Sequence, residues 1–150
     1  MTGILTGIDE RTNLAGTNRL ELLIFTLDGD QKFGINVFKI QEVIQRPKLT
    51  KIPGGNEVIR GVCQLRGKDI PVMDMSMAIS EPKLHDDKNS FVIITEFNRS
   101  VQGFLVGGVD RIVNLHWKDI KPPPDGVEHG GYVTALTEID GDYVLIIDVE

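Results

Sequence analysis

Gly61-Val62-Cys63-Gln64-Leu65-Arg66-Gly67-Lys68-Asp69-Ile70-Pro71-Val72-Met73-Asp74-Met75 sets two short apolar runs, Val62 to Leu65 and Ile70 to Met75, on either side of a polar turn, Arg66 to Asp69. Apolar runs of this length around a glycine-containing turn predict a β-hairpin, with Gly67 supplying a backbone angle that other residues resist. Pro71 lacks an N–H, which suits an edge strand or a strand start. Arg66 stands at the hairpin tip, where a rigid scaffold can present a guanidinium to a partner. The plainer reading of Arg66 is an ordinary solvated turn residue.

The hairpin has a second copy. A slide of 74 residues carries Gly67 onto Gly141, Ile70 onto Val144, Val72 onto Ile146, Met73 onto Ile147, Asp74 onto Asp148 and Met75 onto Val149. Upstream the slide is 69. It carries Leu22-Leu23-Ile24-Phe25-Thr26 onto Phe91-Val92-Ile93-Ile94-Thr95, Gly34 onto Gly103, Val37 onto Val106, Ile40 onto Val109, Val43 onto Ile112, Ile44 onto Val113 and Pro53 onto Pro122. Each copy reads as strand, turn, strand, bend, proline break and closing hairpin. Short strands with Gly and Pro at the corners predict an all-β architecture of two similar small barrels or sheets, one per half, over residues 20–79 and 90–150. Neither half is large enough to build much core alone, so the two should pack together, and a groove should run between them.

Between these landmarks the chain is read more coarsely. Leu20 to Leu27 and Phe33 to Val37 predict strands around an Asp28-Gly29-Asp30 turn. Val37, Ile40, Val43 and Ile44 recur at helical spacing, but β-branched residues dominate, so a turn followed by a strand fits equally. Ser80 to Asn89 is polar and predicts a connecting loop. Residues 1–19 form an N-terminal segment in which Ile4, Leu5 and Ile8 suggest a short helix ending near Ala15.

Composition narrows the function classes. The chain has 150 residues, a net charge of −6 and scattered cations, which argues against a nucleic-acid surface. Its one cysteine, Cys63, has no partner for an intramolecular disulfide, so a reducing compartment is expected. No apolar run approaches the ~20 residues of a membrane span, and the first residues lack the apolar core of a secretory signal. His85, His116 and His129 have no companions at metal-ligand spacing. No phosphate loop, dinucleotide motif or nucleophile elbow occurs. Cys63 reads as a structural thiol, Asp74 and Asp148 as turn caps, Trp117 as a packing residue, and Pro122-Pro123-Pro124 as a rigid loop. Neither catalysis nor a cofactor is expected, and binding is the role that remains.

With both copies laid out, the chain resembles the CheW family of chemotaxis adaptors. The resemblance runs from about Leu20 to the end. It rests on Phe25-Thr26-Leu27, Phe33-Gly34-Ile35, Val37, Ile40-Gln41-Glu42-Val43, Thr50-Lys51-Ile52-Pro53, Gly61-Val62, Leu65-Arg66-Gly67, Ile70-Pro71-Val72-Met73-Asp74, Gly103 to Val109 and Leu145-Ile146-Ile147-Asp148. Ile8 to Leu14, Asn18 to Leu22 and Gly34 to Phe38 look most like the N-terminal CheW-like half of CheV. CheV carries a phosphorylatable receiver after this module, whereas this chain stops at Glu150. The resemblance implies two packed five-stranded SH3-like β-barrels and no catalysis. It implies a cytoplasmic scaffold at receptor arrays, linking chemoreceptor tips to the regulatory domain of the histidine kinase CheA. The family's receptor-facing groove maps onto Val37, Ile40, Glu42, Gly61, Arg66, Phe91 and Val109. The apolar members suit a helix laid in a groove, and Arg66 and Glu42 suit its rim. Where many members have Val-Asp, this chain has Val106-Gly107, with Asp110 three residues later. Two other readings stand beside the adaptor: a small β-barrel enzyme or ligand-binding domain with its site between the barrels, and a module that only dimerises.

Overall fold

Strands form where the apolar runs lie. The computed structural model describes residues 19–85, 89–125 and 131–149. The expected run at Leu20 to Leu27 is β1 (Arg19–Thr26), which returns as β2 (Lys32–Asn36). A 3-10 turn at Val37–Lys39 follows, fastened by the Phe38 N–H donating to the Asn36 side-chain oxygen at 2.9 Å, and leads into β3 (Ile40–Gln45). Of the two readings for this segment, turn then strand is the observed one. β4 (Ile59–Leu65) and β5 (Lys68–Asp74) are the hairpin, and one short helix, α1 (Met75–Ala78), ends the first copy. The second copy supplies β6 (Phe91–Phe97), β7 (Ser100–Val106), β8 (Gly108–His116), a 3-10 turn at Trp117–Asp119, β9 (Val133–Ile139) and β10 (Asp142–Ile147). The helix expected near residues 4–15 lies outside the described residues.

The strands pair into two five-stranded sheets, ordered β8-β1-β2-β10-β9 and β3-β6-β7-β5-β4. The fold class is the one expected, two packed five-stranded barrel units related by an internal repeat. The division between them is not. Exchanging β1 with β6, β2 with β7, β3 with β8, β4 with β9 and β5 with β10 converts one order into the other. Each unit therefore takes one hairpin from one copy and three strands from the other, so the halves 20–79 and 90–150 do not coincide with the barrels. The cause is the bend after the first hairpin of each copy. It carries β3 away from β1 and β2 onto β6, and β8 away from β6 and β7 onto β1. The copies are closed by each other, through matching parallel pairs: Ile146 lies opposite Gly34, and Val72 opposite Gly103.

The repeat's register also needs one correction. Ile24 stands opposite Gly34, and Ile94, not Ile93, stands opposite Gly103. The slide of 69 holds for β2 with β7 but misplaces β1 on β6 by one residue. Counted between equivalent pairs, Thr26 with Lys32 and Glu96 with Val101, the path from β6 to β7 is one residue shorter than that from β1 to β2. In a strand, a slip of one exchanges the two faces.

Those faces lead to different cores, which is why the runs are apolar throughout. Leu20, Leu22 and Ile24 of β1 join Val144 and Ile146 inside the first unit. Val92 and Ile94 of β6 join Cys63, Ile70, Val72, Leu84 and Leu105 inside the second. The alternate residues Leu23, Phe25 and Ile93 meet Phe33, Ile35, Phe104 and Val106 in a third cluster that forms the seam between the sheets. Phe25 and Phe33 stack there with ring centroids 5.7 Å apart.

The hairpin turn is tighter than expected. Leu65 already pairs with Lys68, so the turn is Arg66-Gly67 alone, with φ of 51° and 77°. Its counterpart, Asp140-Gly141, has φ of 53° and 85°. Positive φ at both central residues matches the twist of the flanking strands. Pro71 is not on an edge, since β5 lies between β7 and β4; pairing with β7 starts only at Val72, past the missing N–H.

Candidate docking surface

Four of the seven candidate residues converge on one structure. Val37 in the first 3-10 turn, Ile40 at the start of β3, Phe91 at the start of β6 and Val109 on β8 all pack, half-buried, against the seam. Ile40 pairs with Thr95 and Phe91 with Gln45, so the two lie at opposite ends of the β3–β6 ladder. At about 3.3 Å per strand residue the margin between them runs roughly 16 Å, about three turns of an α-helix. The buried hydrophobic residues of the seam are aliphatic, aromatic and methionine side chains, and the four half-buried residues pack against them.

Val43 belongs with them. It packs against the same seam, half-buried, because the register shift between Ile40 and Glu42 puts Ile40 and Val43 on one side of β3. The bulge was the missing information: strict alternation sends residues 40 and 43 to opposite faces. Ile44, the next residue, packs instead inside the second unit.

Arg66 and Glu42 meet each other. The Arg66 guanidinium lies 2.6 Å from the Glu42 carboxylate, with side chains 69% and 26% exposed. The hydrogen bond that Arg66 donates to Glu42, reinforced by the carboxylate's charge, holds the guanidinium above its ordinary pKa. β3 and β4 are the two edge strands of their sheet, so this pair ties edge to edge across the barrel's opening. The other unit repeats the device with the signs exchanged. Arg111 of β8 replaces the glutamate, Asp140 replaces the turn arginine, and their atoms are 2.7 Å apart. Arg66 is thus both a latch and an exposed cation at the hairpin tip.

Gly61 stands apart from this group. It lies on β4 with φ of 152°, and a Cβ there would come within 2.9 Å of the Thr50 carbonyl oxygen. Its role is close passage of two backbones. Gly107 is similar: a side chain would strike the Leu27 carbonyl, where the Gly107 N–H donates to the Thr26 oxygen at 2.9 Å.

The remaining landmarks sort as follows. Asp74, fully buried, caps α1 by accepting from the Met77 N–H at 3.0 Å, as expected for a cap. It also pairs with Arg60 at 2.8 Å and accepts from the Leu84 N–H at 3.0 Å, which spacing did not reveal. Cys63 is buried in β4, and burial pushes its thiol pKa up, fitting a structural thiol. Trp117 is 44% exposed and not a core residue. Among the described residues no group of three or more His, Cys, Asp or Glu is placed to hold a metal ion, and no helix is long and apolar enough to cross a membrane.

Two latched barrel units packed on a shared apolar seam, with half-buried apolar residues at its margin and a charged pair at a hairpin tip, define a β-barrel scaffold domain. The chain belongs to the CheW-like domain family, whose profile matches residues 21–150. It is 31% identical to the chemotaxis protein CheW of Klebsiella aerogenes, over 97% of this chain and 89% of that one. It is 35% identical to the chemotaxis protein CheV3 of Helicobacter pylori over 89% of this chain, and spans only 47% of that longer relative. The scaffolding protein TtCheW from Thermoanaerobacter tengcongensis has a similar structure, with a TM-score of 0.80 and 29% identity over 87% of this chain and 85% of that chain. Its family is therefore one of chemotaxis scaffolds.

Proposed function

We propose that this chain is a non-catalytic coupling module that joins the cytoplasmic tips of chemoreceptors to the regulatory domain of the histidine kinase CheA. It works in the cytoplasm, at receptor arrays. The observation that carries this is the seam margin: Val37, Ile40, Phe91 and Val109 all pack, half-buried, against the seam, with Ile40 and Phe91 about three helical turns apart. A receptor tip is helical, and an amphipathic helix docks by laying apolar residues at successive turns against such a margin. Arg66, at the exposed hairpin tip, orients it. The rival reading, a ligand or substrate site between the barrels, calls for a convergent polar cluster there, and the seam is apolar side chains.

The test is a pull-down of the chain with receptor-tip fragments and the kinase regulatory domain, together and separately. Simultaneous capture of both supports the reading. Binding of neither, with the fold intact, ends it.

A further inference from the structure

We propose that a groove beside β4, away from the seam margin, binds an acidic, partly apolar peptide segment of a partner protein. The groove runs between the loop of residues 46–57 and the linker after α1. None of the seven docking residues lines it, so the proposal is independent of the coupling function.

Its lining has two chemistries. Leu49, Ile59 and Met77 give an apolar floor, extended by Ile52, which is 51% exposed. Arg46, Lys51 and Lys83 give a cationic rim, with Glu57 the one acid among the lining residues. Such a rim is out of character for a chain of net charge −6. Complementary potential favours a partner of negative charge, and the floor favours one with apolar anchors. The open volume is about 870 Å³, too large for a single small anion and ample for several residues of peptide.

Hydrogen bonds brace both walls. On one side Thr50 exchanges backbone hydrogen bonds with Val62 at 2.9 and 2.8 Å, and the Ile59 N–H donates to the Asn56 carbonyl at 3.0 Å. On the other, Arg60 donates to the Leu84 carbonyl at 3.1 Å, and the Ser76 hydroxyl to the Pro82 carbonyl at 2.6 Å. A preformed groove loses little ordering entropy on binding.

The repeat provides an internal control. The register that pairs Gln45 with Phe91 also pairs Asn114 with Glu21, so Leu115 takes the place of Arg46. The Thr50–Val62 bridge corresponds to Lys121–Leu136, which corrects the slide of 69 here as well: Pro124, not Pro122, takes the place of Pro53, and Pro122 takes that of Lys51. The other copy thus completes the same fold without these two cations.

The experiment uses the full chain, labelled with nitrogen-15 and titrated with a synthetic peptide of glutamates and leucines. Parallel titrations use a peptide of lysines and leucines, and inorganic phosphate. Amide shifts should concentrate at Lys51–Glu57 and Lys83. Affinity should fall about tenfold or more in Lys51→Glu/Lys83→Glu, less in Ile52→Ser, and steadily with salt. The dispersion of each variant's spectrum reports whether it is folded. Four results overturn the proposal: undiminished binding by the folded double variant, equal binding of the lysine peptide, displacement of the peptide by phosphate alone, or self-association of the chain through this groove.

Discussion

On the proposed reading Arg66 serves two purposes, latch and partner contact, that substitution can separate. The exchanged signs of Arg111–Asp140 show that the fold accepts either polarity at this latch. Glu42→Arg/Arg66→Glu should therefore unfold at the wild-type midpoint while losing affinity for a receptor-tip fragment, as read by calorimetry and titration. A double variant that binds normally would confine Arg66 to a structural role. Arg66→Ala and Val37→Glu should each weaken that binding about tenfold or more and leave the circular dichroism spectrum unchanged. Cys63 offers a pH test. Its folded pKa is raised by burial, so between the unfolded and folded values the unfolded chain has released the proton and the folded one has not. Stability falls as pH climbs through that window. Cys63→Ala should lose this component of the alkaline decline, and the native thiol should alkylate far more slowly than the urea-unfolded one. The chemistry of Arg66, Cys63 and Asp74 was readable from residue type and neighbours. The partners Glu42 and Arg60 were not, because both bonds cross between strands.

Strands and turns carry their own tests. Gly107 marks the crossing from β7 to β8, where a Cβ would strike the Leu27 carbonyl. Gly107→Ala should destabilise the fold by about 1–3 kcal/mol, measured by urea unfolding. Asp74 binds β5, α1 and the linker together through Met77, Arg60 and Leu84. Asp74→Ala takes the buried carboxylate away from a mostly buried Arg60 and should cost about 3–5 kcal/mol. Individual strands were legible as apolar runs bounded by Gly, Pro and Asp; the first closing hairpin was legible around an Arg66 to Asp69 turn that the structure shortens to Arg66-Gly67, and the second from the repeat. The bulge in β3 was not, since nothing in Ile40-Gln41-Glu42-Val43 distinguishes a bulged strand from a regular one. It took the register against β6 to show that Val43 packs against the seam beside Ile40.

The exchange of strands between copies makes folding a joint event. Neither five-stranded unit can form from one half alone, because each sheet draws on both. Fragments 1–85 and 89–150 should each lack β structure by circular dichroism and regain it on mixing, whereas the intact chain should unfold in a single transition. A stable sheet in either fragment alone would contradict this topology. The amino-acid order already held the duplication, the all-β class, the approximate limits of β1, β2, β4 and β5, and the family resemblance that implied five strands per barrel, since all of these depend on local pattern and on residues compared along one chain. Which sheet each strand joins, which face β1 and β6 turn to the seam, and that Arg66 meets Glu42 were settled only in three dimensions. Pairing between residues far apart in the chain depends on connection length and on burying both faces of a strand at once, and no local window contains that information.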